Sequence, residues 1–178
     1  MKITIEQGCY TDIDELEKLY DEINDHLSAT INFPGWIKGI YPTRANAVAG
    51  IKENSLFIAR CNGIIVGSVI LNHQSKEAYK DAKWKIDADY YHIFVIRTFV
   101  VHPFFLQKGI GKSLLDYSIR LAKKSGIKSI RLDVYENNLP AISLYEKCGF
   151  EYIGTVDLGL DYYGLKWFKL YEKIIENK

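Results

Sequence analysis

The sequence predicts an α/β protein folded as one domain over residues 1–178. Three observations carry that expectation. Short β-branched and aromatic runs alternate with segments whose apolar residues recur every three or four positions, the pattern of strands interleaved with amphipathic helices. An apolar run at residues 91–101 breaks at Pro103, passes Gly109-Ile110-Gly111 and enters a helical pattern, so a strand feeds a glycine-bearing turn that opens a helix. No internal repeat, linker or low-complexity tract divides the chain.

Residues 2–7 place Ile3 and Ile5 between polar neighbours and read as a first strand. Thr11 opens a helix, because Thr11-x-x-Asp14 has the form of a capping box. Ile13, Leu16, Leu19, Tyr20, Ile23 and Leu27 give that helix one apolar face. Residues 33–42 form a loop of aromatics, Pro and Gly, and Thr43 caps a second helix running to Glu53. Two β-rich runs, 55–61 and 64–71, flank Asn62-Gly63, a strong two-residue hairpin signal. Residues 72–89 are polar and irregular and read as a long, mobile excursion. The fourth strand, 91–101, is apolar at nearly every position and so is expected to be covered on both faces. A helix follows from Gly111 to Ser125 with Leu114, Leu115, Ser118, Leu121 and Ala122 inward and Gly126 as C-cap. A fifth strand at 129–135, a helix at 138–147 ended by Gly149, and two closing strands at 150–157 and 164–173 complete the chain.

Composition excludes several classes of function. Basic residues number 23 against 22 acidic ones, so nothing points to a nucleic-acid or membrane surface, and Lys123-Lys124 reads as a solvated helix face. Hydrophobic residues make up 48%, ample for a core. Cys9, Cys61 and Cys148 have neither metal nor redox spacing and read as reduced thiols of an intracellular protein. The opening MKITIEQGCY lacks the apolar length of a signal peptide, and no run of about 18 apolar residues occurs. A soluble cytoplasmic protein without a metal is expected.

The strand-to-helix turn is how proteins build an anion site from backbone alone: a helix N-terminus offers unpaired N–H groups and a positive dipole end. Gly111-Lys112-Ser113 has the letters that end a Walker A motif, but Leu106 stands where that motif needs glycine. A dinucleotide fingerprint needs a glycine at position 114, which is Leu. Gly109, Gly111 and Leu114-Leu115 instead fit the Arg/Gln-x-x-Gly-x-Gly/Ala loop of the GNAT acyltransferases, with Leu106 in the Arg/Gln position. Further on, Asn138, Ala141, Leu144-Tyr145 and Gly149-Phe150 closely resemble that family's Asn-x-x-Ala-x-x-Leu-Tyr-x-x-x-Gly-Phe signature, in the same order. The chain is therefore identified as similar to the GNAT N-acetyltransferase superfamily.

That resemblance implies a mixed central sheet of six or seven strands, splayed between strands 4 and 5 and flanked by helices. It also implies acetyl-CoA as cosubstrate and CoA as product. Gln107, Lys108, Gly109, Ile110, Gly111, Lys112 and Ser113 would hold the pyrophosphate, with Leu106 weakening the grip without abolishing it. Phe99, Val100 and Val101 would hold the pantetheine arm and supply an oxyanion donor. Tyr145 takes the position of the general acid that protonates the leaving thiolate; outside the motif it would read as a core aromatic. Asn138 either caps its helix or bonds the pantetheine arm, and both roles are compatible. His92 is the leading base because imidazole titrates near neutral pH, ahead of Asp87, Asp89 and His102.

Acceptor choice falls to the variable loops, which carry Phe33, Trp36, Tyr41, Trp84, Tyr90, Tyr91, Tyr162, Tyr163 and Trp167. Trp36 and Tyr41 are the expected substrate contacts, able to hold an amine by cation–π attraction or simply to pack on the sheet. Asp157 and Asp161 would attract a cationic amine or be solvated turn residues. The leading expectation is acetyl transfer to a primary amine of a small molecule through a ternary complex. A protein N-terminal or lysine acetyltransferase and a non-catalytic acyl-CoA sensor are the alternatives. Since many relatives are dimers, the resemblance admits a homodimer.

Overall fold

The computed structural model describes residues 2–176. Its strands are β1 (Ile3–Gln7), β2 (Leu56–Cys61), β3 (Ile64–Asn72), β4 (Ile93–Val101), β5 (Ser129–Tyr135), β6 (Glu151–Leu160) and β7 (Leu165–Ile174). Its helices are α1 (Ile13–Ala29), α2 (Arg44–Lys52), α3 (Ile110–Lys124) and α4 (Leu139–Lys147). The strands form one mixed seven-stranded sheet in the order β1-β2-β3-β4-β5-β7-β6. β4 and β5 are parallel, and their ladder is confined to Ile93–Val95 against Ser129–Arg131. The last hairpin folds back so that β7, not β6, pairs with β5 along its whole length.

The chain divides into two compact units. The first comprises the chain up to Asn32, Trp36–Asn72 and Arg97–Tyr117. The apolar stripe of α1 (Leu16, Leu19, Tyr20, Ile23) packs there on Ala47 and Ile51 of α2 and on Leu56, Ile58, Ile65 and Val100 of the sheet. The start of α1 is set differently from the expected Thr11–Asp14 box. Residues Tyr10–Asp12 form a short 3-10 turn, and the Asp12 carboxylate accepts the Cys9 N–H at 2.8 Å, so the capping device sits two residues earlier. Arg60 donates to the other oxygen of the Asp12 carboxylate and to Glu6, which fixes the capping acid in place. Thr43 does stand at the N-cap of α2, where Asn46 accepts its N–H at 2.8 Å. Asn62 and Gly63 adopt φ 52° and 83°, the left-handed pair that a tight hairpin needs.

The second unit comprises Phe33–Gly35, His73–Ile96 and the chain from Ser118. Its core joins Ile93 and Val95 of β4 to Leu170 of β7 and to Tyr79, which is 1% exposed. Tyr79 lies in the excursion expected to be mobile, and that expectation is corrected. The Tyr79 hydroxyl donates to Asp133 at 2.5 Å, and the Trp84 indole N–H donates to the Tyr79 carbonyl at 2.9 Å. His73 Nδ1 closes the segment, 2.7 Å from the Tyr90 carbonyl and 2.8 Å from that of Ile93.

Arg131 of β5 fastens the same segment from below. It is 3% exposed, sits 4.4 Å from the Trp84 ring and donates to Ile86 O, Tyr90 Oη and, at 3.1 Å, Glu172 Oε1. Glu172, the cross-strand partner on β7, also accepts from Ser129 Oγ and the Lys85 N–H. Every charge of this buried pair is thus matched by a donor or acceptor, the condition under which such a pair is tolerated. Trp84 and Tyr90, expected among the acceptor-lining aromatics, are spent on this clamp.

Candidate functional site

In the first unit, β4 leads through a single 3-10 turn (Pro103–Phe105) and an exposed loop into α3. Gln107 and Gly109 both take left-handed backbone conformations, φ 59° and 82°, on either side of Lys108. Such alternation turns successive N–H groups toward one side and forms an anion-binding nest. Gly109 bears no strain there, while Gln107 does. The Ser113 N–H bonds Gly109 O at 2.9 Å and closes the first turn of α3. Among the described residues, the N–H groups of Gln107, Gly109, Ile110 and Gly111 have no acceptor. Those four donors, at the positive end of a fifteen-residue helix, are a ready anion site.

The side chains around the nest are less uniform than the sequence implied. Lys108 is exposed and lies 5.0 Å from the Phe105 ring. Lys112 is committed one turn along α3 to Asp116, at 2.6 Å. Lys108 is therefore the cation better disposed to a bound anion. Leu106 is 47% exposed, so its apolar side chain adds no donor to the rim.

Strand β4 carries the main irregularity of this unit. Thr98 has φ 46° although it is β-branched, within a strand and 5% exposed. A β-branched residue in that region is a genuine outlier, retained only where its surroundings over-determine it. Tyr41 supplies the restraint. Its hydroxyl lies 2.8 Å from Thr98 Oγ1 and accepts the Thr98 N–H at 3.1 Å. Beyond the kink, Val100 is buried, and a Cβ built on Gly67 of β3 would stand 2.9 Å from the Val100 carbonyl oxygen. Only glycine allows that approach.

Trp36 and Tyr41 meet edge to face at 5.5 Å, and Trp36 packs on the core of this unit. The Tyr41 carbonyl accepts from Asn24 Nδ2 at 3.3 Å. His102, at the end of β4, has both ring nitrogens engaged: Nε2 lies 2.9 Å from Glu22 Oε2, and Nδ1 accepts the Phe104 N–H at 3.2 Å. It holds the turn that precedes the nest.

In the second unit, Asn138 stands at the N-cap of α4 but its side chain does not cap. Pro140, at the second helical position, removes one of the two N–H groups such a cap can bond. Tyr145 is on the buried face of α4, 5% exposed, with its ring 5.8 Å from that of Phe150. His92 lies in a 3-10 turn just before β4, not within it, and its Nδ1 is 2.9 Å from Asp89 Oδ1. The hydrogen bond from His92 holds the Asp89 carboxyl below its ordinary range and orients the imidazole. The rings of Tyr162 and Tyr163 lie 4.0 Å apart, tilted by 40°, in the exposed β6–β7 turn, and Asp157 pairs with Lys166. Among the described residues no helix is long and apolar enough to cross a membrane, and the three cysteines are free.

Comparison with known proteins brings these parts under one description. The model of the acetyltransferase (GNAT) family matches residues 14–150. An uncharacterized N-acetyltransferase of Methanocaldococcus jannaschii is 31% identical over 99 residues, 56% of this chain and 40% of that protein. The chain thus spans less than half the length of that relative. A GNAT-family acetyltransferase structure from Streptococcus agalactiae superposes with a TM-score of 0.78 at 22% identity, over 98% of this chain and 96% of its own. A Salmonella typhimurium structure, solved with its cofactor acetyl-CoA, superposes with a TM-score of 0.72 at 16% identity, over 99% of this chain and 95% of its own.

Proposed function

We propose, for a chain that belongs to the GNAT acetyltransferase family, that it transfers an acetyl group from acetyl-CoA to a primary amine of a small molecule by direct attack. The observation that carries this reading is the nest, with four N–H groups lacking acceptors at the start of α3. A pyrophosphate needs clustered donors, a positive field and no adjacent carboxylate. Residues 106–113 supply the first two and contain no acid. A neighbour of the same fold solved with acetyl-CoA supports the choice of ligand.

In this account the nest and Lys108 fix the diphosphate, while Asn138 bonds the pantetheine arm. The neutral amine attacks the thioester carbonyl carbon, and the carbonyl oxygen takes up the negative charge of the tetrahedral intermediate. The backbone of the Phe99–Val101 segment holds the pantetheine arm and supplies the donor to that charge, a role worth a few kcal/mol when preorganised. Collapse breaks the carbon–sulfur bond, and Tyr145 gives its phenolic proton to the departing thiolate. His92, oriented by Asp89, accepts the proton the amine loses. The role of Tyr145 rests on its place in the family motif, where a phenol serves as proton donor.

Gly109→Asp tests the nest. It places an L-residue in a left-handed conformation, costing roughly 1–2 kcal/mol, and adds a charge repelling the diphosphate. Calorimetry should show acetyl-CoA affinity reduced by at least about tenfold. Unchanged affinity would remove the diphosphate from this loop. A thiol-release assay across small primary amines and peptides with free N-termini tests the acceptor: faster turnover of the small amines is expected, and exclusive turnover of peptides would overturn that assignment.

A further inference from the structure

Thr98 adopts a conformation that its β-branched side chain disfavours, and it does so one residue before the strand segment expected to face the reacting carbonyl. Left alone, the residue would relax toward extended backbone. The flanking peptide planes would then turn, and the N–H groups of Phe99 and Val100 with them. Tyr41 opposes this twice, accepting the Thr98 N–H at 3.1 Å and bonding Thr98 Oγ1 at 2.8 Å. Tyr41 is itself held: its ring rests edge-on against Trp36, its N–H bonds Ile37 O at 3.0 Å and its carbonyl accepts from Asn24. The restraint thus runs from α1 through the loop into β4, within one unit.

We propose that Tyr41 is a positioning residue for acyl transfer, its hydroxyl clamping the kink at Thr98 so that the backbone donor of the following segment points at the thioester carbonyl. This rests on the acetyltransferase reading above and gives Tyr41 a role distinct from contact with the amine.

The test needs no acceptor. Acetyl-CoA and CoA are titrated separately into the wild type, Tyr41→Phe, and Tyr41→Phe combined with Thr98→Gly. If β4 grips the carbonyl, the wild type prefers acetyl-CoA over CoA by several-fold. Tyr41→Phe should bring that ratio close to one while CoA affinity stays within about twofold, since the nest is untouched. Thr98→Gly should restore much of the preference, because glycine takes a positive φ without a clamp. Equal weakening toward both ligands, or a preference unchanged by Tyr41→Phe, would overturn the inference and leave Tyr41 a structural residue. Should Tyr41→Phe not fold, Thr98→Val removes only the hydroxyl half of the clamp and should reduce the preference in the same direction. Failure of the wild type to bind either ligand would instead overturn the acetyltransferase reading itself.

Discussion

Tyr145→Phe is expected to lower acetyl transfer by roughly two orders of magnitude, the low end of what a positioned general acid contributes, while acetyl-CoA binds within about twofold of wild type. The separation arises because phenylalanine keeps the ring that packs against Phe150 and deletes only the hydroxyl. The phenol does nothing for the ground state in this account. It acts when negative charge appears on sulfur, so its loss belongs in turnover and not in affinity. Steady-state thiol release, alongside calorimetry on the same protein, reads both quantities. Undiminished turnover would return Tyr145 to the role of a buried core aromatic on α4.

Arg131→Met is expected to be the most destabilising single change. Arg131 and Glu172 are almost wholly buried, with side chains 4% and 0% exposed. Removing one partner leaves a carboxylate in the core without its counter-charge, costing about 3–5 kcal/mol. For a chain of this size, that lowers the melting temperature by on the order of 10 °C. The same change releases Ile86 O, Tyr90 and Trp84, so residues 76–90 should gain hydrogen exchange before the sheet does. Adding Glu172→Gln removes the orphaned charge and keeps an acceptor for the Lys85 N–H, so part of the lost stability should return. A single variant that melts like wild type would show that the excursion is held by its apolar contacts alone.

That clamp was the least legible part of the fold, although a signal for it was present. Ala82, Trp84, Ile86, Ala88 and Tyr90 alternate with exposed polar residues, the period of a half-buried extended chain. The charged intervening residues obscured the alternation, and the buried Arg131–Glu172 pair was invisible because its partners lie far apart in sequence. The strand and helix pattern was largely legible, since the apolar stripe of α1, the Asn62-Gly63 turn and the glycine ends of α3 and α4 are local features. The start of α1 was misplaced by its cap: the device runs from Cys9 to Asp12, and cysteine is not a residue usually read as a cap.

For the candidate site, the glycine loop is readable because its glycines answer to local backbone geometry, and the Asn138–Phe150 segment is readable through its resemblance to a family signature. The kink at Thr98 was not, since nothing in an apolar run announces a left-handed residue held from another part of the chain. In the sequence Tyr41 is legible only as an aromatic in a loop. Its hydroxyl bonds to β4 depend on the fold that brings the two together.

The measurement that tests the central claim most directly is calorimetric titration of the protein with acetyl-CoA, with CoA and dephospho-CoA alongside. Saturable binding of acetyl-CoA at about micromolar strength, abolished or much weakened in Gly109→Asp, is the result predicted by a diphosphate seated on the α3 nest. No binding by any of the three would contradict it, and the chain would then keep the family's fold without its cofactor site.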